Sequence, residues 1–197
     1  ELWSKKITIE TDIALGDINN DNSKEIIISY DHIGTVALNG TDGEIIVNYV
    51  DYSLYAHPVV CNVDEDDQLE LIIATNQSKI VLLDAEDGTI HWSIKLSFKL
   101  ETLVMGDVNG DNYLDIIYGS SNFITCISTN GEILWHYNGF SDSATITEPS
   151  LGDVDNDSYI DVIVGCSDGN IYALSGINGS LILTLNTEGS IESSVVL

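Results

Sequence analysis

Residues 106–119 read GDVNGDNYLDIIYG, an acidic loop that runs directly into a block of aliphatic residues. Oxygen-bearing side chains stand at every second position from Asp107 to Asp111, and a further carboxylate follows at Asp115. The pattern [DN]-x-[DN]-x-D-x-x-x-[DE] recurs at intervals of 45, 45 and 46 residues, with copies that begin at Asp17, Asn62, Asp107 and Asp153. A fixed period near 45 residues is typical of β-propeller blades.

Each repeat predicts four short strands arranged around its loop. One strand precedes the loop, and the aliphatic run that follows it, such as residues 116–118, is apolar without alternation. Such a run predicts a strand that is buried on both faces. A third strand then leads through a turn rich in Asn, Asp and Gly into a fourth, because glycine supplies the positive φ of tight hairpins. The sequence therefore predicts an all-β fold, a β-propeller or propeller segment of four-stranded antiparallel blades with the acidic loop between the first and second strands.

The repeat frame also predicts the organisation of the chain as a single propeller domain or fragment over residues 1–197. Residues 1–10 and 191–197 match the last strand of a preceding blade and the first strand of a following one. Unpaired end strands invite pairing with more chain or with a neighbouring molecule. The predicted blades are residues 11–55, 56–100, 101–146 and 147–190.

The loops predict up to four Ca²⁺ sites, with side-chain oxygens at positions 1, 3, 5 and 9 and a backbone carbonyl at position 7. Ligation by oxygen alone suits Ca²⁺ better than zinc or copper, and Mg²⁺ sheds its water too reluctantly for such a cage. The predicted ligands are Asp17, Asn19, Asp21, Ser23 and Glu25 in loop one; Asn62, Asp64, Asp66, Gln68 and Glu70 in loop two; Asp107, Asn109, Asp111, Tyr113 and Asp115 in loop three; and Asp153, Asp155, Asp157, Tyr159 and Asp161 in loop four.

Two other interpretations of these loops were weighed. Asp and Asn are common in plain polar turns, but four copies in register would hold clustered carboxylates that repel one another without a cation. An EF-hand needs Gly at position 6 and Glu at position 12. The loops have neither, and their flanks are predicted strands.

The loop at residues 106–115, and its counterpart at residues 152–157, resembles the calcium loop of integrin-type FG-GAP β-propeller repeats. That resemblance implies one Ca²⁺ per blade, held between the first and second strands. The Phe-Gly and Gly-Ala-Pro segments that name the family are missing. The second half of each repeat, as in residues 83–92, instead resembles quinoprotein-type propeller repeats, and mixed repeats of this kind are similar to those of secreted microbial surface proteins.

Charge and composition narrow the function. The net charge is −26, from 32 acidic residues against 6 Lys and no Arg, which disfavours nucleic acid and anionic membrane surfaces as partners. No apolar stretch reaches the roughly 18 residues of a membrane helix. We find no nucleophile elbow or phosphate-binding glycine loop, so we expect no enzymatic activity, and a chain without Arg is a poor host for an acidic quinone cofactor.

The remaining conspicuous residues favour structural roles. Trp3, Trp92 and Trp135 share one repeat position, which favours packing between blades over carbohydrate stacking. The three cysteines have no metal-type spacing and are expected to be buried free thiols. The four histidines share no ligand spacing. Among the Asn-x-Ser/Thr sequons, Asn39 and Asn178 fall in hairpin turns and are the better glycan acceptors.

The sequence therefore predicts an extracellular or cell-surface, calcium-stabilised β-propeller that serves as a binding, adhesion or scaffold module for a protein or glycan ligand. Extracellular calcium modules bind Ca²⁺ with dissociation constants of about 10⁻⁴–10⁻³ M, which motivates the location. Two alternatives stay open: a secreted carbohydrate-active propeller enzyme, and a structural subunit that self-associates through its end strands.

Overall fold

The computed structural model of the chain describes residues 3–4, 13–30, 34–49, 58–63, 68–75, 77–96, 100, 102–120, 122–141 and 144–195. Within these residues the ordered elements are all β-strands, grouped in four antiparallel sheets of four strands each. No helix long and apolar enough to cross a bilayer occurs in this described part of the chain. The predicted all-β fold of four-stranded blades is confirmed.

The chain divides into two compact units, and the first spans Glu1–Lys99. It contains two sheets, and in each the strands are neighbours in the order in which they follow along the chain. The first sheet consists of β1 (Ala14–Gly16), β2 (Glu25–Tyr30), β3 (Gly34–Leu38) and β4 (Ile45–Tyr49), and the second of β5 (Val59–Cys61), β6 (Glu70–Thr75), β7 (Lys79–Asp84) and β8 (Ile90–Lys95).

The second unit, Leu100–Leu197, repeats this arrangement. Residues 187–195 follow its last strand without forming a further strand. The predicted blade boundaries and the predicted strands at the two chain ends stay predictions. The third sheet consists of β9 (Thr102–Gly106), β10 (Asp115–Ser120), β11 (Phe123–Ser128) and β12 (Ile133–Tyr137), and the fourth of β13 (Ser150–Gly152), β14 (Asp161–Gly165), β15 (Asn170–Leu174) and β16 (Leu181–Asn186).

The second and the fourth strand of a blade differ in how far their side chains are buried. Every residue of β6, β10 and β14 is buried, as the unbroken apolar runs predict. The fourth strand lies at the edge of its sheet and is largely exposed, most clearly in β16. In these three blades the second strand, which begins directly after the acidic loop, is therefore the most buried strand.

All four sheets share one irregularity in the pairing of their third and fourth strands. The register shifts just before the hairpin turn, at Ala37/Leu38, Leu82/Leu83, Cys126/Ile127 and Ala173/Leu174. A β-bulge inserts an extra residue and increases the local twist. Its return at one place in every repeat indicates that it belongs to the blade geometry.

An aromatic side chain covers the hairpin between the third and fourth strands in three blades. Trp3 lies on Gly43 and donates its indole N–H to the carbonyl of Gly40 at 3.0 Å. Trp135 lies on Gly179 in the same way and donates to the carbonyl of Gly176 at 2.6 Å. Gly43 and Gly179, the glycines beneath these two indole rings, have positive φ. For these two tryptophans, the predicted packing role is confirmed.

The remaining hairpin of this kind uses a residue that sequence comparison did not single out. Alignment of the repeats places Val47 at the position where β8 and β12 carry Trp and β16 carries Leu183. The structure shows that Tyr49, two residues further along, lies on Gly88 and donates its hydroxyl to the carbonyl of Ala85. A different aromatic on the same strand thus makes the equivalent contact.

Candidate metal centre

The acidic loops share one backbone hydrogen-bond template, which starts at the carboxylate in position 1. Its Oδ1 accepts the N–H of position 5 at 3.0 Å in loop one, 3.1 Å in loop three and 3.2 Å in loop four. Its Oδ2 accepts the N–H of position 6 at 2.8, 2.9 and 3.0 Å. The loop therefore curls around this carboxylate, which is Asp17, Asp107 or Asp153.

The oxygens at positions 3 and 5 are fixed by the same kind of contact. Position 3 accepts the N–H of position 5 at 3.1, 2.9 and 3.1 Å in loops one, three and four. Position 5 accepts the N–H of position 7 at 2.7, 2.8 and 2.8 Å. An ionised carboxylate has about four lone-pair sites. These hydrogen bonds therefore orient each carboxylate and leave lone pairs that can coordinate a cation.

Two positions between the expected ligands, for which the sequence analysis assigned no role, determine the backbone conformation of the loop. Positions 4 and 6 have positive φ in loops one, three and four. Glycine reaches this left-handed region freely, and Asn reaches it more readily than most residues. The signal was visible as Asn or Gly at alternate positions between the expected ligands. The residues are Asn20 and Asn22, Gly110 and Asn112, and Asn156 and Ser158, with φ between 57° and 76°.

Position 9 differs from the others because its carboxylate is buried. Glu25 and Asp161 are 0% exposed and Asp115 is 1% exposed. One oxygen of each accepts the backbone N–H of position 2, at 3.1 Å from Ile18, 3.2 Å from Val108 and 2.9 Å from Val154. Among the described residues, their other oxygens, Glu25 Oε1, Asp115 Oδ1 and Asp161 Oδ1, are buried without a hydrogen-bond partner.

These three carboxyl groups are electrostatically strained. Burial raises the pKa of Asp115 to about 6, and repulsion from Asp111 and Asp107 acts in the same direction. Burial is likewise the main cause of the raised pKa of Glu25 and of Asp161. A carboxylate that is buried without full pairing is unfavourable. A cation at the loop centre would supply the missing partner.

Loop four brings its carboxylates closest to a metal-binding arrangement. One carboxylate oxygen each of Asp153, Asp155 and Asp161 lie within 4.8 Å of one another. Asp157 is the remaining carboxylate of the loop, and its Oδ1 accepts the N–H of Tyr159. The donor set consists of oxygen alone, which suits a hard cation.

Loop two is described only in part. Asp64 and Asp66 lie outside the described residues. Glu70, at position 9, is 2% exposed and accepts the N–H of Val63 at 2.8 Å, as in the other loops. The position-7 side chain, Gln68, donates Nε2 to Glu86 at 3.2 Å. Within the described residues, loop two thus repeats the position-9 contact of the other loops.

The other candidate residues have ordinary structural surroundings. Cys126 and Cys166 are buried free thiols. Cys61 is half-buried, and burial raises the pKa of its thiol to about 12. His136 shares a hydrogen bond with Thr125 at 2.8 Å. His32, His57 and Asn76 lie outside the described residues. The side-chain oxygens of Asn39 and Asn178 accept backbone N–H groups within their hairpins.

Comparison with known proteins places this architecture in a family. Residues 58–195 match the family model described as outer membrane protein assembly factor BamB. The chain belongs to the BamB family. This match confirms the predicted propeller repeat and its quinoprotein-like second half, whereas the FG-GAP character of the loops stays a prediction. No curated protein matches the chain.

Solved structures similar to this BamB-family chain have the same kind of fold. The V. cholerae biofilm matrix protein Bap1 is 18% identical with a TM-score of 0.55, and the match covers 94% of this chain and 42% of Bap1. BBS1N, solved in complex with ARL6DN, is 14% identical with a TM-score of 0.68, covering 95% of this chain and 54% of BBS1N. BamB from Moraxella catarrhalis is 15% identical with a TM-score of 0.52, covering 100% of this chain and 70% of that protein. The chain therefore spans about half the length of the first two, and at these identities the likeness concerns fold alone.

Proposed function

We propose that this chain is a calcium-stabilised β-propeller segment that acts as a binding, adhesion or scaffold module at an extracellular or cell-surface location. The observation that carries the calcium assignment is the repeated position-9 carboxylate. In three loops it is buried and accepts one backbone N–H, and its second oxygen has no hydrogen-bond partner among the residues that the structure describes. One orphaned oxygen could be incidental to its surroundings, but the same one at the same loop position in three repeats indicates a shared missing ligand.

The donor chemistry favours Ca²⁺ over other cations. Each loop offers carboxylate and backbone oxygens, loops one to three add a side-chain amide oxygen, and no loop offers imidazole or thiolate. Ca²⁺ accepts six to eight such ligands with flexible geometry, whereas Mg²⁺ demands near-octahedral order and retains water. In this proposal positions 1, 3, 5 and 9 would hold the ion, together with the position-7 carbonyl, as in the FG-GAP loops that these segments resemble.

The proposed role in binding rests on the fold family and on charge. BamB-type propellers suggest a protein-interaction or scaffold module, and the BBS1N structure holds its propeller in complex with ARL6DN. The net charge of −26 disfavours anionic partners. We therefore propose a protein or glycan ligand and assign no catalytic step to the chain.

Thermal unfolding with and without chelator tests the calcium assignment. A site held at about 100 times its dissociation constant contributes about 2.7 kcal/mol, so we expect EDTA to lower Tm by roughly 5–10 °C per lost site in a chain of this size. Ca²⁺ added in excess should restore Tm because it binds only the folded loops.

Two controls sharpen this experiment. Mg²⁺ at the same concentration should restore Tm less than Ca²⁺ does, and KCl at matched ionic strength should restore little, because screening alone leaves the buried carboxylates unpaired. An unfolding curve that is the same in EDTA and in Ca²⁺ would refute the proposed calcium dependence.

A further inference from the structure

Loops three and four touch each other through an aromatic ring. Tyr159, at position 7 of loop four, lies on Gly110, at position 4 of loop three: a Cβ added to Gly110 would lie 2.5 Å from Cε1 and 2.9 Å from Cδ1 of the ring. Gly110 has a φ of +76° and donates its N–H to Oδ1 of Asp107 at 2.7 Å. The Tyr159 ring therefore packs against the backbone of Gly110, whose N–H orients Asp107, the first expected ligand of loop three.

A second contact joins the same two loops from the buried side. Gly176 lies against Val108 of loop three, since a Cβ there would come within 2.7 Å of both Cβ and O of Val108. That Cβ would also collide with the carbonyl oxygen of Ile160, which directly precedes Asp161 in loop four. Val108 is 0% exposed and donates its N–H to Asp115. The backbone at Gly176 thus contacts both loops. On one side it meets Ile160, next to the position-9 carboxylate of loop four, and on the other it meets Val108, which donates to the position-9 carboxylate of loop three.

The first unit provides a matched comparison for the ring contact. Loop one has Asn20 where loop three has Gly110, and loop two has Gln68 where loop four has Tyr159. The side chain of Gln68 donates to Glu86 at 3.2 Å. The ring on a glycine is therefore a particular feature of the pair formed by loops three and four.

We propose that loops three and four bind cations as a coupled pair and that Tyr159 is the positioning residue that couples them. An ion in loop four fixes the segment from Asp157 to Asp161 and with it the Tyr159 ring. The seated ring holds Gly110 and the turn that presents Asp107, so loop three is organised before its own ion arrives. By linkage, an ion in loop three strengthens binding in loop four by the same factor. This inference rests on the proposed calcium binding.

Site-resolved titration of the 197-residue chain with CaCl₂ tests the coupling. The backbone amide resonances of Asn112 and Asn156 in ¹H–¹⁵N spectra report loop three and loop four separately. We expect Tyr159→Ala to weaken binding at loop three by about fivefold or more, the lower end of typical coupling between sites. Asp157→Ala, which removes a loop-four ligand, should weaken loop three to a similar extent.

Two matched variants separate the ring from general damage. Tyr159→Phe keeps the ring that contacts Gly110 and should leave loop three at wild-type affinity. In the Asp157→Ala background, Tyr159→Ala should cause little further loss at loop three, because both changes remove one interaction.

The outcomes distinguish the coupling from the calcium assignment. If wild-type protein shows no saturable Ca²⁺-dependent shift at either amide, the proposed calcium function fails and the coupling fails with it. If both sites bind but loop three keeps its affinity in Tyr159→Ala and in Asp157→Ala, the loops are independent, and the coupling alone is wrong.

Discussion

In each blade the acidic loop leads directly into the apolar second strand, but the two segments differ in what stabilises them. The strand buries apolar side chains, and the loop contains clustered carboxylates. In β10 all six residues are buried, and Ile116 and Ile117 are 0% exposed within an apolar core. Asp115, the first residue of that strand, is equally buried, but one of its oxygens has no hydrogen-bond partner in the described part of the chain. The strand is stabilised by its own side chains, whereas in our proposal the loop is stabilised by a bound cation. Blade stability should therefore have a metal-independent part and a metal-dependent part.

The largest single-residue effect is expected in the metal-independent part. Ile117→Ala removes a fully buried side chain from the core of the second unit, and truncations of this kind cost about 2–5 kcal/mol. Denaturant unfolding in Ca²⁺ and in EDTA should show a similar loss in both conditions. A loss confined to the calcium-containing sample would break the separation between strand and loop.

A loop substitution should have the opposite dependence on conditions. Asp157→Ala removes a carboxylate from loop four and should abolish one site, with a loss of about 2–3 kcal/mol at saturating Ca²⁺ and little loss in EDTA. Asn62→Ala removes an amide oxygen from loop two and should cost less, because a neutral ligand contributes less to the cation. Counting bound metal in the two variants checks this ranking, which equal or reversed losses would overturn.

Much of the fold could be predicted from the sequence because its signals are local. Unbroken aliphatic runs predict second strands such as β6 and β14, and turns rich in Asn, Asp and Gly predict the hairpins. The proposed loop ligands come from spacing in the same way, since alternating oxygens lie within nine residues of one another, and their role as ligands stays a prediction. The local pattern was enough to predict the strands and hairpins because it recurs in all four repeats.

The contacts between repeats could not be predicted in the same way. The hydrogen bond from Tyr49 to Ala85 spans 36 residues, and that from Trp135 to Gly176 spans 41. Alignment of the repeats places Val47 at the tryptophan position of β4, because alignment compares equivalent residues. It does not show which side chain of that strand reaches the next hairpin. The ring of Tyr159 on Gly110 depends in the same way on how two loops are juxtaposed.

If the buried position-9 carboxylates are held by a cation, the substitution Asp161→Asn should have opposite effects with and without metal. The substitution keeps the oxygen that accepts the N–H of Val154 and removes the buried charge. Without metal, the neutral side chain should be easier to bury, so the variant should be more stable than wild type in EDTA. With Ca²⁺, it has lost an anionic ligand and should be less stable.

The measurement is the difference in Tm between Asp161→Asn and wild type, recorded once in EDTA and once in excess Ca²⁺. We predict that this difference changes sign between the two conditions, positive in EDTA and negative in Ca²⁺. A difference of the same sign and size in both would show that Asp161 does not depend on a cation and would contradict the account.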